Sequence, residues 1–474
     1  MSESINLLKM GRRNIKDYAI HVLTQRAIAD LRDNLKPVQR RILWSMYKEG
    51  LRNSGPTQVA QKVISNVAGD FHPHSSDAIF GALANMVGSD NFPHPLVYGK
   101  GNWVSHSKPP GAPRYVSCKL SKLAEEEILD PDYMAVIQYE DNYNGEMKEP
   151  VYLPCKLPLI LLSGNSGIAV GSSAGHPPLS VSCVKKYIKQ WFKYGEAKPS
   201  YKNVEFNWYW GSNCVAEETR IKQWIRTGSG ALAFEPNYTI DDNKYSLMIT
   251  DVPPTFNWKS VVNTLSGGSG KKPNKKFDCV KTITDLTDSR TPERKVRIKI
   301  EFKRSEDFRD DCRKVIDVFT KSFTTFSNIT LRNTSEDVDF KLYPLKELIN
   351  QWMLYRIDLE VRMQKHKIQT LKGLIANQDL LILVTNNLDL VINTIRHSMK
   401  PKEDLMKKLE LTQEQAEYIL ELQLRRISKL DQEKVKKTRA ELVKKKKQAA
   451  LHRDNPNPKV QDDLIRGFAL LEKA

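Results

Sequence analysis

No stretch of this 474-residue chain approaches the ~18 consecutive apolar residues of a membrane-spanning helix. The run from Leu157 to Leu162 is far too short. Met1-Ser2-Glu3-Ser4 opens without the apolar core of a signal peptide. Cysteine is sparse: six residues stand far apart, at 118, 155, 183, 214, 279 and 312. No Cys-x-x-Cys occurs, which argues against a zinc ribbon or redox pair and suits free thiols in a reducing cytoplasm. A glycine-rich phosphate loop, an ATP-binding signature and a segment rich in Asp-x-Asp are missing too. The expectation is a cytoplasmic protein with no membrane partner and no metal ligands of its own.

Positive charge is plentiful. Lys and Arg number 74 against 56 Asp and Glu, a net +18. A surplus of that size calls for a polyanionic partner, most often nucleic acid. It is uneven: residues 1–124 carry 17 basic and 8 acidic side chains, residues 125–150 one basic and nine acidic. The excess therefore lies where a phosphate backbone would be gripped.

The length allows roughly three domains of ~150 residues each. Residues 1–150 read as short helices, over 40–47, 59–67 and 76–87, each with apolar residues at helical spacing. Such helices in a basic segment suggest a helix-turn-helix type of DNA reader. Residues 151–338 mix strand and helix signals, with strict alternation at 296–302 and a helix over 310–323. Ser266–Lys276 reads as a flexible basic loop. In residues 339–455, Leu345, Leu348, Trp352, Tyr355 and Leu359 recur at coiled-coil spacing, and Ile368, Leu371 and Ile375 resume it. Thr412 and Gln415 form a capping box. The lysine-rich run 435–447 reads as a returning partner helix, and Asn455-Pro456-Asn457-Pro458 ends it before a short tail, 456–474. The predicted class is α+β, multidomain.

Chemistry concentrates at Gly111-Ala112-Pro113-Arg114-Tyr115-Val116-Ser117. A tyrosine is a poor nucleophile at its ordinary pKa of about 10. A neighbouring guanidinium favours the phenolate and grips phosphate with paired hydrogen bonds. Arg-Tyr alone is weak evidence, but the blocks around it are ordered. The run Gln25–Arg41 resembles the opening of the breakage-reunion subunit of type IIA DNA topoisomerases, a group that includes the A subunits of gyrase and topoisomerase IV and their phage relatives. Asp17-Tyr18-Ala19 resembles the family's first helix. Gly69–His74 is similar to its HPH segment, and Gly99-Lys100-Gly101-Asn102-Trp103 to its GQGNFG loop. Gly164–Gly171 is similar to its GSSGIAVG, and Thr412–Leu424 to the helix leading into its exit gate.

This resemblance implies a winged-helix domain in 1–150, a tower domain in 151–338, and a long antiparallel coiled coil with a small helical exit-gate globule in 339–455. It implies that Tyr115 attacks a DNA phosphorus and Arg114 stabilises the charge there. It places His72 and His74 near the scissile phosphate, with the proton-transferring histidine left open, and Arg26 near the leaving 3′-oxygen. Lys36, Arg41 and Lys62 would bind phosphates. Lys62 stands where the gyrase pattern has arginine, so it keeps the charge and loses the fork. Ile168 would be a wedge that intercalates and bends DNA. Asp77 and Gly81 replace the serine and acid that bacterial enzymes carry on the following helix.

By the same resemblance, Mg²⁺ and ATP are cofactors held by separate ATPase/Toprim partner subunits. The other partners are double-stranded DNA and a second copy of this chain. The expected activity is a staggered double-strand break through 5′-phosphotyrosine links, with passage of a second duplex. The span after the lysine-rich run leaves no room for a DNA-wrapping β-pinwheel, so relaxation or decatenation is expected. The competing reading is a DNA-binding architectural protein that keeps the fold without chemistry. A metal-dependent nuclease would need clustered carboxylates.

Overall fold

In the computed structural model the first described helix, α1 (Pro37–Lys48), starts at a proline whose fixed φ suits a first turn. The N–H of Lys36 donates to Gln39 Oε1 at 2.9 Å, closing that end. Ile42, Leu43 and Met46 turn inward and are fully buried. Helix α2 (Ala60–Asp70) buries Ala60, Val63, Ile64 and Val67, and α3 (Ser76–Val87) buries Ile79, Leu83, Ala84 and Met86. Both follow the one-face spacing of an amphipathic helix. The three helices pack on one another and on an antiparallel sheet of β1 (Gln58–Val59), β2 (Val97–Lys100) and β3 (Ser117–Leu120), with β3 in the middle. Val59, expected to be helical, pairs with Ser117 instead.

The structure describes residues 26, 28–87, 94–103, 110–169, 172–207, 213–250, 258–266, 275–286, 297–322, 325–332, 341–421 and 432–473. Asp17–Ala19, most of the basic loop at 266–276, and Leu422–Leu424 lie outside this set. The chain forms two units, residues 1–356 with 463–474, and residues 357–462.

Within the larger unit a hairpin, β4 (Tyr139–Asp141) with β5 (Lys148–Pro150), precedes a buried segment, Val151–Leu162. The next hairpin, β6 (Asn165–Ala169) with β7 (Ser172–His176), joins a four-stranded sheet through β13 (Thr325–Asn328) and β8 (Ser229–Leu232), in the order β6-β7-β13-β8. Helix α4 (Val181–Tyr194) follows β7 and ends at Gly195 in the left-handed region. A second sheet has the order β9 (Tyr238–Asp241), β10 (Ser246–Ile249), β12 (Ile298–Phe302), β11 (Val280–Asp285). In β12, Ile298, Ile300 and Phe302 are buried and the residues between are half-exposed, as the alternation predicts.

Helix α5 (Leu345–Asn386) begins in the larger unit, where Leu345, Leu348, Ile349, Trp352 and Met353 are buried. Arg356, wholly buried there, donates to Asp463 Oδ2 at 3.1 Å. In the smaller unit, Arg439 of helix α9 (Gln432–Asp454) pairs with Asp379 of α5. Between them come α6 (Leu388–His397), α7 (Pro401–Leu409) and α8 (Gln413–Glu421), around Leu380, Val384, Val391, Leu405, Leu411, Ala416 and Ile419. Both hydrogen bonds of the predicted capping box are present: Thr412 N–H to Gln415 Oε1 at 2.9 Å, and Gln415 N–H to Thr412 Oγ1 at 3.3 Å. No helix of the described residues is long and apolar enough to cross a membrane.

Candidate active site around Tyr115

Tyr115 closes a three-residue 3-10 turn, Pro113–Tyr115. Its N–H donates to Ala112 C=O at 2.9 Å. The side chain is 74% exposed, which is rare for so large a ring and leaves the hydroxyl to solvent. The backbone just behind is fixed. Val116 is buried, and its C=O accepts from the N–H of Ala60, the first residue of α2, at 2.9 Å. Ser117 then enters β3, so helix and sheet together hold the turn.

The segment Gly99–Trp103 backs this turn. A Cβ on Gly99 would lie 2.5 Å from the Trp103 ring and 2.3 Å from Val87 Cγ1. Gly101 has φ +104°, and a Cβ there would meet Tyr115 O at 3.3 Å. Trp103 is fully buried and its Nε1 donates to Ser117 C=O at 3.1 Å. These glycines give the indole room to press against β3, the strand that follows the tyrosine turn.

Arg114 is exposed, with its guanidinium carbon 5.1 Å from the Tyr115 ring centroid. That is a cation–π distance, and it leaves the guanidinium fork available to an anion.

A second cluster forms where α2 ends. The rings of His72 and His74 stack at 4.5 Å and 21°. Arg41 Nη1 lies 3.1 Å from His72 Nδ1, while Arg41 Nε and Nη2 each donate to Glu149 at 2.8 Å. Arginine only donates, so His72 Nδ1 must accept. That fixes the neutral tautomer with hydrogen on Nε2. Burial, reinforced by the charges of Arg41, His74 and Arg26, lowers the His72 pKa to about 4. At neutral pH His72 is therefore a hydrogen-bond donor through Nε2, while His74 beside it is exposed.

Of the residues singled out in the sequence, Arg41, His72 and His74 are in direct contact, and the charge of Arg26 is felt at His72. Arg114 and Tyr115 touch each other. Lys36 caps α1 and is half-buried, which lowers its pKa. Lys62 is exposed on α2. Ile168 lies in β6 opposite Ser173; its side chain is outside the described set.

Three supporting residues were not singled out. Glu149, within the acidic stretch, orients Arg41. Asp33 binds Arg40 through Nε at 2.8 Å and Nη2 at 3.0 Å, and accepts from the N–H of Leu35 and of Leu153. Asn34 reaches the backbone of 159–164. Only Glu149, as an acid opposite a basic segment, left any trace in composition.

Imidazole, guanidinium and phenol do not suit Mg²⁺, which takes carboxylate, phosphate and water oxygens. Among the described residues no three His, Cys, Asp or Glu side chains gather as a metal site. These residues alone do not fit the ion.

The family model for the A subunit of DNA gyrase/topoisomerase IV matches residues 26–467. The chain belongs to this family. It is 28% identical over 469 residues to the DNA topoisomerase 4 A subunit of Pseudomonas aeruginosa, covering 94% of this chain and 60% of that protein. It is 27% identical over 451 residues to the DNA gyrase A subunit of Dehalogenimonas lykanthroporepellens, covering 93% and 54%. The DNA gyrase A subunit of Thermotoga maritima matches at 28% over 441 residues, 90% and 53%. The chain thus spans between about half and three fifths of these relatives. In this member of the gyrase/topoisomerase IV family, Asp77 and Gly81 occupy exposed positions on α3, and a Cβ on Gly81 would meet nothing within 4 Å.

Proposed function

We propose that this chain is the DNA-cleaving and rejoining subunit of an ATP-dependent type IIA topoisomerase. The observation that carries the reading is an exposed tyrosine on a rigid turn, with an arginine over its ring. Tyr115 Oη attacks the phosphorus of a DNA phosphodiester, and the 3′-oxygen leaves. The new phosphotyrosyl ester keeps the energy of the broken bond, so the 3′-oxygen reseals the strand by the reverse attack. Arg114 balances charge on the phosphate. His72 donates from Nε2 to a phosphate oxygen. The Tyr115 hydroxyl gives up its proton as the new P–O bond forms and the departing 3′-oxygen takes one up, with the solvent-facing His74 as the carrier. Arg26 serves the leaving oxygen. Lys36, Arg41 and Lys62 hold phosphates, with Arg41 limited to what its Glu149 pair leaves free.

The three helices over a three-stranded antiparallel sheet support a winged-helix assignment within 1–150. The two four-stranded sheets support a tower in 151–338. The α5 and α9 pair with its small globule supports a coiled coil and exit gate in 339–455, ahead of the 456–474 tail. The subunit works as a homodimer, one Tyr115 per strand, giving a staggered double-strand break through which a second duplex passes, with relaxation or decatenation as outcome. Mg²⁺ and ATP are bound by the ATPase/Toprim partner.

The test is to incubate the chain with duplex DNA, Mg²⁺ and that partner, then add detergent and look for protein on 5′ ends. Wild type forms this adduct. Tyr115→Phe loses it while DNA affinity stays within about twofold, because the ring remains and only the hydroxyl goes. Adduct formed by the Phe variant would sink the assignment.

A further inference from the structure

The loop that bears Lys36 and the hairpin that bears Ile168 are tied together by Asn34. This residue sits at φ +58°, in the left-handed region, and is 3% exposed. Its Nδ2 donates to Gly164 C=O at 2.8 Å and to Leu159 C=O at 3.2 Å. Its Oδ1 accepts from Asn165 Nδ2 at 3.3 Å. Two carbonyls require the N–H side of the amide, and the Asn165 nitrogen requires the oxygen side. Only one orientation of the amide satisfies all three.

Both ends of this bridge are anchored. On the loop side, Asn34 N–H donates to Asp30 C=O at 2.8 Å, and neighbouring Asp33 holds Arg40 of α1, the helix that also carries Arg41. On the hairpin side, Gly164 has φ +60° and no space for a side chain: a Cβ would lie 2.6 Å from His176 O. Asn165 pairs with His176 across the hairpin, and His176 Nε2 donates to Ile160 C=O at 2.5 Å. Glycine at position 34 would accept the backbone angle and form none of the side-chain bonds. Aspartate would set an acceptor against two carbonyls. Asparagine tolerates the left-handed region and donates twice.

We propose that Asn34 is a positioning residue that couples DNA bending at the β6–β7 hairpin to placement of the scissile phosphate at Tyr115. This rests on the reading of Tyr115 and Ile168 above. Bent DNA seats the hairpin, and the Asn34 bridge holds the loop and α1 in register with it. A straight duplex has to be bent against this brace, whereas a duplex that is already bent seats on hairpin and loop without it.

The experiment uses the full chain with its ATPase/Toprim partner and Mg²⁺, and two probes. One is an intact duplex with fluorescent dyes at its ends. The other carries a central mismatched bulge that bends without a wedge. Asn34→Gly keeps the backbone angle and removes the bridge. It bends and cuts the intact duplex about tenfold less than wild type, the worth of two buried hydrogen bonds. It cuts the bulged duplex close to wild type. Asn165→Ala removes only the Oδ1 contact and moves the same way by less, so it carries the test should Asn34→Gly fail to fold. Equal loss on both duplexes would make Asn34 merely structural, and no loss on either would remove it from the mechanism. Both outcomes overturn the proposal while wild-type cleavage leaves the assignment of Tyr115 standing. Wild type that neither bends nor attaches to DNA brings down the site reading and this proposal with it.

Discussion

The region around α1 and the helical globule of residues 380–421 differ in what they bury. In the globule the core is hydrocarbon, from Leu380 through Val391 and Leu405 to Ile419. Its ion pairs, such as Lys402–Glu417, lie on the exposed surface, where such pairs contribute about 0–1 kcal/mol. Around α1, charges are buried and paired. Asp33 is 0% and Arg40 7% exposed at the side chain, and the Arg41–Glu149 fork is 18% and 6% exposed. Apolar contact is non-directional and forgives small shifts. Charge-assisted hydrogen bonds fix angle as well as distance. On the proposed reading, directional contacts lie where a phosphate must be set to within about an ångström, and oily ones where bulk packing is enough.

The sharpest way to break this contrast is Arg40→Ala. It strands the Asp33 carboxylate without its cation, and we expect about 3–5 kcal/mol lost in urea unfolding of the larger unit. A loss below about 1 kcal/mol would show that the buried pair does not hold the loop. Leu405→Ala in the globule should cost about 2–5 kcal/mol through its cavity. It should leave the His72 titration untouched, and a change there would mean the two regions are not independent.

Arg41→Gln probes the electrostatics. Removing that cation raises the His72 pKa above about 4, yet it stays below the ordinary 6.5, because burial is the larger cause. Imidazole NMR titration reads this directly. The sign carries into stability. With a depressed pKa in the fold, the contribution of His72 is complete above pH 6.5 and declines as pH falls towards about 4. In Arg41→Gln that acid-sensitive window narrows; an unchanged midpoint would show that Arg41 is not the neighbour responsible. The smallest effect belongs to Tyr115→Phe, whose hydroxyl lies on a 74% exposed side chain. Its unfolding free energy should match wild type within about 0.5 kcal/mol. A larger drop would mean the phenol has a structural partner.

Legibility in the sequence followed the same divide. Amphipathic spacing revealed α1, α2, α3 and β12, and the Thr412–Gln415 capping box, because each is a pattern within a few residues. Arg114 and Tyr115 are adjacent, so their contact needed no fold. The Asn34 bridge to Gly164 spans 130 residues and the Arg41–Glu149 fork 108. No local period encodes such pairs. Arg40 and Arg41 illustrate the limit. Neighbours on a helix point about 100° apart. Only the fold shows that Arg40 turns inward to Asp33 while Arg41 faces His72.

Gly99 has a consequence for how this protein can vary over time. Any side chain there collides with both Trp103 and Val87. Alanine at 99 becomes acceptable only after the indole and the valine have both yielded. Those losses would loosen the strand that anchors the Tyr115 turn before any gain appeared. The three positions are thus locked in sequence space: each single step from this combination runs downhill in fitness, and escape requires a coordinated change. Laboratory drift under selection for cleavage should therefore leave Gly99 untouched while the exposed face of α3, at Asp77 and Gly81, changes freely.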